Sequence, residues 1–266
     1  MKFLAVGLLT HDVQRDKSLL PEGPAFFASM AASYLGLRTT LISSVGNDYL
    51  SHALLKRQGI NARLKTSSAT TTFENHYFDG LRDQYVRATA EAPELDLPAA
   101  DIVFVGPVMN EFSPQHIAQS LPKDRKVAVA GLQGWLRQAD RDGKIYPKNM
   151  TEVACLGEFN AVVVSETDFP MDPVAAIKPI CEHVPIVVLT HGAKGSTLYE
   201  HGRSKHIAAH PAVEHDPTGA GDVYAAALAC ALAQGKTATQ SANEASQLAA
   251  RCVTQKGASA LSKAVD

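Results

Sequence analysis

Two aspartates, Asp216 and Asp222, flank a turn of small residues that leads into a helix-forming stretch. Residues 216–222 read Asp-Pro-Thr-Gly-Ala-Gly-Asp, and alanine- and leucine-rich sequence follows from Val223. The first backbone N–H groups of a helix have no intrahelical partner, so a turn placed there can bind anionic oxygens. A carboxylate at Asp222 can take the proton of a hydroxyl that attacks phosphorus. This is the chemistry of a phosphotransferase; a helix merely capped by Thr218 or Asp216 is the structural alternative.

The same run resembles the C-terminal signature of the PfkB family of carbohydrate kinases, in the ribokinase-like superfamily. The resemblance implies that Asp222 is the catalytic base. It also implies that the amides of Gly219, Ala220 and Gly221 form an anion hole for the transferred phosphoryl group. ATP and Mg²⁺ are the implied cofactors, and a requirement for a monovalent cation is left open.

Two further segments resemble the donor side of this family. Residues 190–195, Thr-His-Gly-Ala-Lys-Gly, have the form of the family's Thr-x-Gly-x-x-Gly turn, which lies beside the nucleotide phosphates. Residues 165–168, Ser-Glu-Thr-Asp, stand where the family has Asn-x-x-Glu, so the resemblance makes Glu166 and Asp168 the metal residues; a capped helix starting near Asp168 is the alternative. The predicted cofactor-binding residues are Thr190, Gly192, Lys194, Gly195, Asp216, Thr218 and Ser165.

The acceptor side is predicted from scattered residues. Asp12 follows the first predicted strand, at the sheet edge where ligands bind in α/β proteins, and the family's equivalent aspartate binds substrate hydroxyls. Glu22 stands where the family has the first glycine of a Gly-Gly motif. Residues 131–137 and 71–75 resemble the family branch that includes inositol kinases. For residues 131–137, a turn followed by a surface arginine is the structural alternative. The predicted substrate-binding residues are Asp12, Gly23, Phe27, Gln133 and Arg137.

Alternating strand and helix patterns predict the elements that position these residues. Short apolar, β-branched runs separated by helical patterns are typical of a parallel sheet with crossover helices. The expected fold is α/β: a ribokinase-like, doubly wound, mainly parallel sheet flanked by helices, in one domain over residues 1–266. The predicted strands are 3–8, 39–45, 102–105, 127–130, 161–164, 186–189, 196–199 and 204–208, and the predicted helices are 25–35, 50–58, 114–120, 173–183, 222–234 and 239–254.

Two segments do not fit the alternating pattern. Residues 13–20 and approximately 69–87 are expected to form a small β lid over the acceptor, as the resemblance implies. The second segment alternates in a β-like way around Asp79-Gly80, which is a strong hairpin signal.

Composition narrows the function classes. The 266 residues carry a net charge of only −2, which gives no reason to expect nucleic acid or a membrane as a partner. The apolar N-terminal stretch is short and lacks a small-residue cleavage site, so we interpret it as a buried strand and expect a cytoplasmic protein. A monomer and a homodimer are both compatible with this sequence.

These observations predict an ATP-dependent kinase that phosphorylates a hydroxyl of a sugar, an inositol or other polyol, or a related small molecule. A kinase-like regulatory protein that binds a nucleotide without turnover is one alternative. A vitamin-type hydroxymethyl kinase is another, and an aromatic pocket around Phe26, Phe27 and Phe73 would favour it. A dinucleotide oxidoreductase ranks behind these because the first strand lacks the glycine fingerprint.

Overall fold

The computed structural model describes residues 1–14, 16–78 and 81–262. Its strands are β1 (Lys2–Val6), β2 (Thr10–Val13), β3 (Leu19–Glu22), β4 (Arg38–Val45), β5 (Asn61–Thr66), β6 (Thr71–Phe78), β7 (Leu81–Ala88), β8 (Ile102–Val105), β9 (Val127–Gly131), β10 (Arg137–Ala139), β11 (Ile145–Pro147), β12 (Ala161–Ser165), β13 (Ile186–Thr190), β14 (Ser196–Glu200) and β15 (Arg203–Ile207). Its α-helices are α1 (Pro24–Tyr34), α2 (His52–Arg57), α3 (Pro114–Ser120), α4 (Pro173–Cys181), α5 (Ala220–Ala233) and α6 (Ala238–Cys252).

A nine-stranded sheet forms the centre, in the order β15-β14-β13-β12-β9-β8-β1-β4-β5. The strands from β13 through β5 run parallel, and the β14–β15 hairpin adds two antiparallel strands at one edge. The central strands are buried over almost their whole length because helices cover both faces, which explains their continuous apolar sequence.

The two faces of the sheet bury separate apolar clusters. One cluster joins α1, α5 and α6 to the sheet, and the other packs α3 and α4 against the opposite face. Helices α1 and α5 are buried on nearly every side, so both are apolar all round and rich in alanine. This tight packing fixes the N-termini of both helices, which flank the candidate site.

A separate four-stranded sheet has the order β3-β2-β6-β7. Its middle pair, β2 and β6, is parallel, while β3 and β7 pair antiparallel to them. The two segments predicted as a lid contribute to this sheet: residues 13–20 span the β2–β3 connection, and residues 69–87 contain β6 and most of β7. The hairpin signal at Asp79-Gly80 lies outside the described residues.

The predicted α/β architecture is confirmed, with element boundaries shifted by one or two residues. The second helix, for example, begins at His52 rather than at residue 50. Strand β5 was missed because its sequence, Asn-Ala-Arg-Leu-Lys-Thr, is largely polar, as suits a partly exposed edge strand. The β10–β11 pair was missed because each strand has only three residues. Among the described residues, no helix combines the length and apolar character that crossing a membrane requires.

Candidate active site

A cleft of about 780 Å³ opens where the parallel strands end. This volume lies within the range of small-molecule sites, and the C-terminal ends of parallel strands are where such sites form. Of the predicted site residues, only Lys194 and Asp216 do not line the cleft. Those that line it are Asp12, Gly23, Phe27, Gln133, Arg137, Ser165, Glu166, Asp168, Thr190, Gly192, Gly195, Thr218, Gly219, Ala220, Gly221 and Asp222.

Asp216 and Lys194 were predicted to bind the phosphoryl donor but lie outside the cleft lining. Asp216 accepts hydrogen bonds from the backbone N–H of Thr218 at 3.0 Å and of Gly257 at 2.8 Å. Its carboxylate therefore links the glycine turn to the segment at Gly257. These bonds keep its pKa below the ordinary value although burial acts in the opposite direction. Lys194 is exposed at the end of a short 3-10 turn, Gly192–Lys194. The structure therefore gives Asp216 a positioning role and places Lys194 at the surface.

The glycine turn adopts its shape because of a close approach by Phe27. Gly219 caps α5 in the left-handed conformation, with φ of 76°, which favours glycine. A Cβ atom at Gly219 would collide with the ring of Phe27. Phe27 itself is almost fully buried in α1. Phe27 thus packs against the glycine turn as well as lining the cleft.

The three amides predicted to bind an anion are not equivalent. The N–H of Ala220 donates to the carbonyl of Pro217 at 3.2 Å, within the turn itself. Gly221 lies in the first turn of α5 and is exposed to the cleft, and nothing lies within 4 Å of the place a Cβ would occupy there. The helix dipole and the open main chain at Gly221 therefore favour an anion at this point.

Asp222 stands one residue further along, deep in the same cleft. Burial raises the pKa of its carboxyl to about 7, and the nearby negative charge of Asp168 adds to this effect. Arg137 acts in the opposite direction and stabilises the charged form. A carboxyl that titrates near neutrality can both accept and release a proton at working pH, as general base catalysis requires.

The residues predicted to bind metal follow β12. Asp168 accepts from the backbone N–H of Ser165 at 3.0 Å and from Gln133 Nε2 at 3.1 Å. Ser165 caps a short 3-10 turn, Glu166–Asp168, so the helix predicted near Asp168 is this turn and the next α-helix starts only at Pro173. Gln133, predicted to bind substrate, thus contacts the metal candidate Asp168.

His191, which follows β13, contacts the other metal candidate. Its Nδ1 lies 2.7 Å from Glu166 Oε2, and its Nε2 lies 3.0 Å from Thr197 Oγ1. The imidazole therefore orients the Glu166 carboxylate at the cleft. His191 was part of the predicted donor turn, but its contact with Glu166 joins residues that are 25 apart in sequence.

The acceptor side contains a chain of polar contacts from the small sheet. Asn75 Nδ2 donates to Asp12 Oδ2 at 2.9 Å, and Gln84 Nε2 donates to Asn75 Oδ1 at 3.0 Å. Asp12 and Asn75 lie on neighbouring strands, β2 and β6. The sheet therefore fixes the orientation of the Asp12 carboxylate in the cleft.

Two further residues shape this side, and their roles were not predicted. Asn110 Nδ2 donates to the carbonyl of Arg137 at 2.7 Å and so anchors the backbone of that arginine. Glu22 lines the cleft with only 5% of its surface exposed. The sequence shows Glu22 only as a departure from the family motif. The burial of its carboxyl at the cleft depends on the folded chain.

Comparison with known proteins shows where this chain belongs. Residues 150–264 match the pfkB family carbohydrate kinase. Over 287 aligned residues the chain is 30% identical to the inositol 3-kinase of Zea mays, covering 96% of this chain and 72% of that protein. The chain belongs to the PfkB family of carbohydrate kinases. It is a small-molecule kinase.

Solved structures share the fold of this PfkB chain. A pyrophosphate-dependent kinase of the ribokinase family, solved with a pyrophosphate analog and myo-inositol, superposes with a TM-score of 0.84 at 18% identity, covering 97% of this chain and 96% of that chain. A fructokinase double mutant from Vibrio cholerae O395, bound to fructose, ADP and potassium ion, has a TM-score of 0.73 at 18% identity, covering 98% and 95%. The predicted ribokinase-like fold is confirmed.

One end of the cleft in this PfkB kinase is lined mainly by small aliphatic side chains. These are Ala209, Pro211, Ala212, Ala249, Ala250 and Val253, and the polar residues His210, Glu214 and Ser246 line the cleft beside them. Aliphatic side chains of this kind can contact a flat ring.

Proposed function

We propose that this kinase transfers the terminal phosphoryl group of ATP to a hydroxyl of an inositol or a related polyol, with Asp222 as general base. The observation that carries this proposal is the placement of Asp222. Its carboxyl, with a pKa of about 7, stands at the N-terminal turn of α5 in the same cleft as Asp12. A proton acceptor, an anion site and a hydroxyl-binding carboxylate therefore share one cleft.

The transfer step follows from this arrangement. The acceptor oxygen forms its bond to phosphorus as its proton passes to Asp222, while the bond from phosphorus to the donor's bridging oxygen breaks. Positioned proton transfer contributes about 10²- to 10⁴-fold. The remaining acceleration comes from alignment and from stabilisation of the equatorial phosphoryl oxygens, which we assign to the anion hole at Gly219, Ala220 and Gly221. Gly221 has the open main chain in this hole, whereas the Ala220 N–H also donates within the turn. The small sheet would act as a lid over the acceptor.

Magnesium fits the residues after β12. Glu166 and Asp168 present two carboxylates to the cleft, and Mg²⁺ prefers oxygen ligands while keeping several waters. The described residues contain no group of three or more histidine, cysteine or acidic side chains arranged to hold a metal, which suits an ion shared with the donor's phosphates. When bound, Mg²⁺ would neutralise charge on those phosphates.

The apolar end of the cleft supports a nucleotide as donor. Ala209, Pro211 and Val253 offer a surface for a base, whereas pyrophosphate has no group to place there. Pyrophosphate is the second candidate because the structure with a TM-score of 0.84 is described as a pyrophosphate-dependent kinase. The fructokinase relative was solved with potassium ion, so potassium is included as a variable in the assay below.

The acceptor end supports a polyol over a heteroaromatic alcohol. Phe26 belongs to the buried core and does not line the cleft, so the aromatic pocket expected for a vitamin-type kinase is reduced to Phe27 and Phe73. Polar side chains line the same region, including Asp12 and Gln84. The curated relative of Zea mays is named inositol 3-kinase, which favours an inositol.

A two-way transfer screen tests the proposal. The purified chain is incubated with Mg²⁺ and either ATP or pyrophosphate, with and without potassium, against inositols, hexoses, ribose and a hydroxymethyl-pyrimidine. We expect phosphorylated myo-inositol, detected by ³¹P NMR, with ATP and little with pyrophosphate. Transfer from pyrophosphate alone would reject the donor assignment, and a preference for the pyrimidine would reject the acceptor class.

A further inference from the structure

The carboxyl of Glu22 faces the acceptor end of the cleft from a buried position. Glu22 is the last residue of β3 and pairs across the sheet with Thr10, which also lines the cleft. Only 5% of Glu22 is exposed, so its carboxyl is largely shielded from solvent where it lines the cleft. A carboxyl that borders a cleft from such a position can exchange a hydrogen bond with a ligand bound there.

The groups around Glu22 are mostly acidic. Asp12 on β2, Asp216 at the start of the glycine turn and Asp222 at the start of α5 all oppose ionisation of Glu22, and Lys256 favours it. Burial is the largest effect, and together these surroundings hold the pKa of Glu22 well above its ordinary value. A pKa raised in this way favours the neutral carboxylic acid, whose O–H is a hydrogen-bond donor.

Asp12 and Glu22 then offer opposite hydrogen-bonding properties to one ligand. The Asp12 carboxylate, held by Asn75, accepts a hydrogen bond from a hydroxyl. The protonated Glu22 donates to an oxygen. We propose that Glu22 acts as a neutral acid that donates a hydrogen bond to an acceptor oxygen, and so selects uncharged acceptors with neighbouring oxygens. This inference rests on the proposed function, because it takes the polyol to bind in this cleft.

An acceptor with an ammonium group is the competing chemistry, since several carboxylates lie close together. The structure favours the neutral form because Phe27 and Phe73 line the same end of the cleft. An apolar surface makes an ionised Glu22 costly, whereas the neutral acid costs less. The two ligand chemistries predict different effects of Glu22→Gln on acceptor binding. An uncharged acceptor should still bind, whereas an acceptor with an ammonium group should bind more weakly.

The experiment compares wild type with Glu22→Gln and Glu22→Leu. The amide of glutamine keeps a donor and carries no charge at any pH, while leucine has no donor. Initial rates with Mg-ATP and myo-inositol give kcat and both KM values from pH 6 to pH 9.5. Glu94→Gln, at an exposed site away from the cleft, is the matched control for loss of one acidic group. Thermal denaturation checks that each variant folds.

We expect Glu22→Gln to keep the KM for myo-inositol within about threefold of wild type at pH 7, and Glu22→Leu to raise it about tenfold, with the KM for ATP unchanged in both. The wild-type KM should rise as pH passes the pKa of Glu22, and this rise should be absent in Glu22→Gln. A Glu22→Gln defect equal to that of leucine, a wild-type preference for an amino-substituted inositol, or a normal KM in Glu22→Leu would each overturn the inference.

A lack of transfer by wild type from either donor would count against the proposed function instead. Calorimetric titration of the same variants with myo-inositol alone then decides the role of Glu22, because it needs no phosphoryl donor. Loss of affinity in Glu22→Leu and its retention in Glu22→Gln would support the inference, and equal affinity in all three proteins would overturn it.

Discussion

The two ends of the cleft are built in different ways. At the transfer end, one continuous run of seven residues supplies the turn, the helix N-terminus and Asp222. At the acceptor end, the lining side chains come from α1, β2, β3, β6, β7 and the start of β10, and contacts such as that of Asn75 with Asp12 join residues 63 apart. Both ends contain carboxylates, but only the transfer end is formed by residues that are consecutive in sequence.

This difference explains how each end can vary. The anion hole that we propose for the transfer end consists of main-chain amides whose position depends on packing, as the contact of Phe27 with Gly219 illustrates. The acceptor end uses side chains on strands of a small sheet, where one substitution changes the ligand contacts without altering the fold. Substitutions at the transfer end should therefore lower the rate of transfer, and those at the acceptor end should change the KM for the acceptor.

The largest effect is expected at Asp222. Asp222→Asn keeps the shape of the side chain and removes the proton acceptor, so kcat should fall by about 10²- to 10⁴-fold with little change in either KM. In wild type, kcat/KM should rise about tenfold per pH unit up to about pH 7 and then level off, because the base must be deprotonated. Initial rates across pH test both statements; near wild-type turnover by Asp222→Asn would show that another group is the base.

The same substitution should stabilise the fold at neutral pH. The folded state holds the Asp222 proton more tightly than the unfolded state, in which the pKa is near its ordinary 3.8, so stability decreases as pH rises from about 4 to about 7. Asp222→Asn removes this dependence, and its free energy of unfolding at pH 8 should exceed that of wild type by roughly 1–3 kcal/mol. Urea denaturation at pH 4 and pH 8 measures the difference, which should vanish at pH 4.

Smaller effects are expected from alanine substitutions at Gly219 and Gly221, and the two variants should differ from each other. Gly219→Ala should cost about 2–4 kcal/mol of stability because its positive φ and the ring of Phe27 both exclude a Cβ. Gly221→Ala meets no protein atom, so it should fold normally and gain up to about 1 kcal/mol. Its methyl group would instead occupy space for the donor phosphates and lower kcat/KM for ATP by about 10- to 100-fold.

Thermal denaturation and steady-state kinetics on the two alanine variants measure this separation. A Gly221→Ala variant with wild-type kcat/KM would place the transferred group elsewhere. An equally stable Gly219→Ala variant would show that Phe27 can move away from the turn.

The sequence predicts the two ends of the cleft to different extents. The glycine turn was predictable because consecutive residues carry its whole pattern, and the buried strands were predictable because their apolar runs are continuous. The support of Gly219 by Phe27 and the contact of His191 with Glu166 were not, since each joins residues far apart in sequence. The positions of Asp216 and Lys194 outside the cleft lining were not predictable either, because spacing does not reveal which way a side chain points.

The smallest effect is expected at Asn75, which does not line the cleft and touches Asp12 from the small sheet. Asn75→Ala removes the N–H that orients the Asp12 carboxylate, and we expect the KM for myo-inositol to rise about 3- to 10-fold. The KM for ATP and kcat should change little, because the transfer end is built from other elements. Asn243→Ala on α6, where the side chain donates to the Thr239 carbonyl within the same helix, is the matched control. A fall in kcat at unchanged KM in Asn75→Ala would mean that the acceptor end also aligns the reacting hydroxyl, so that the two ends act as one unit.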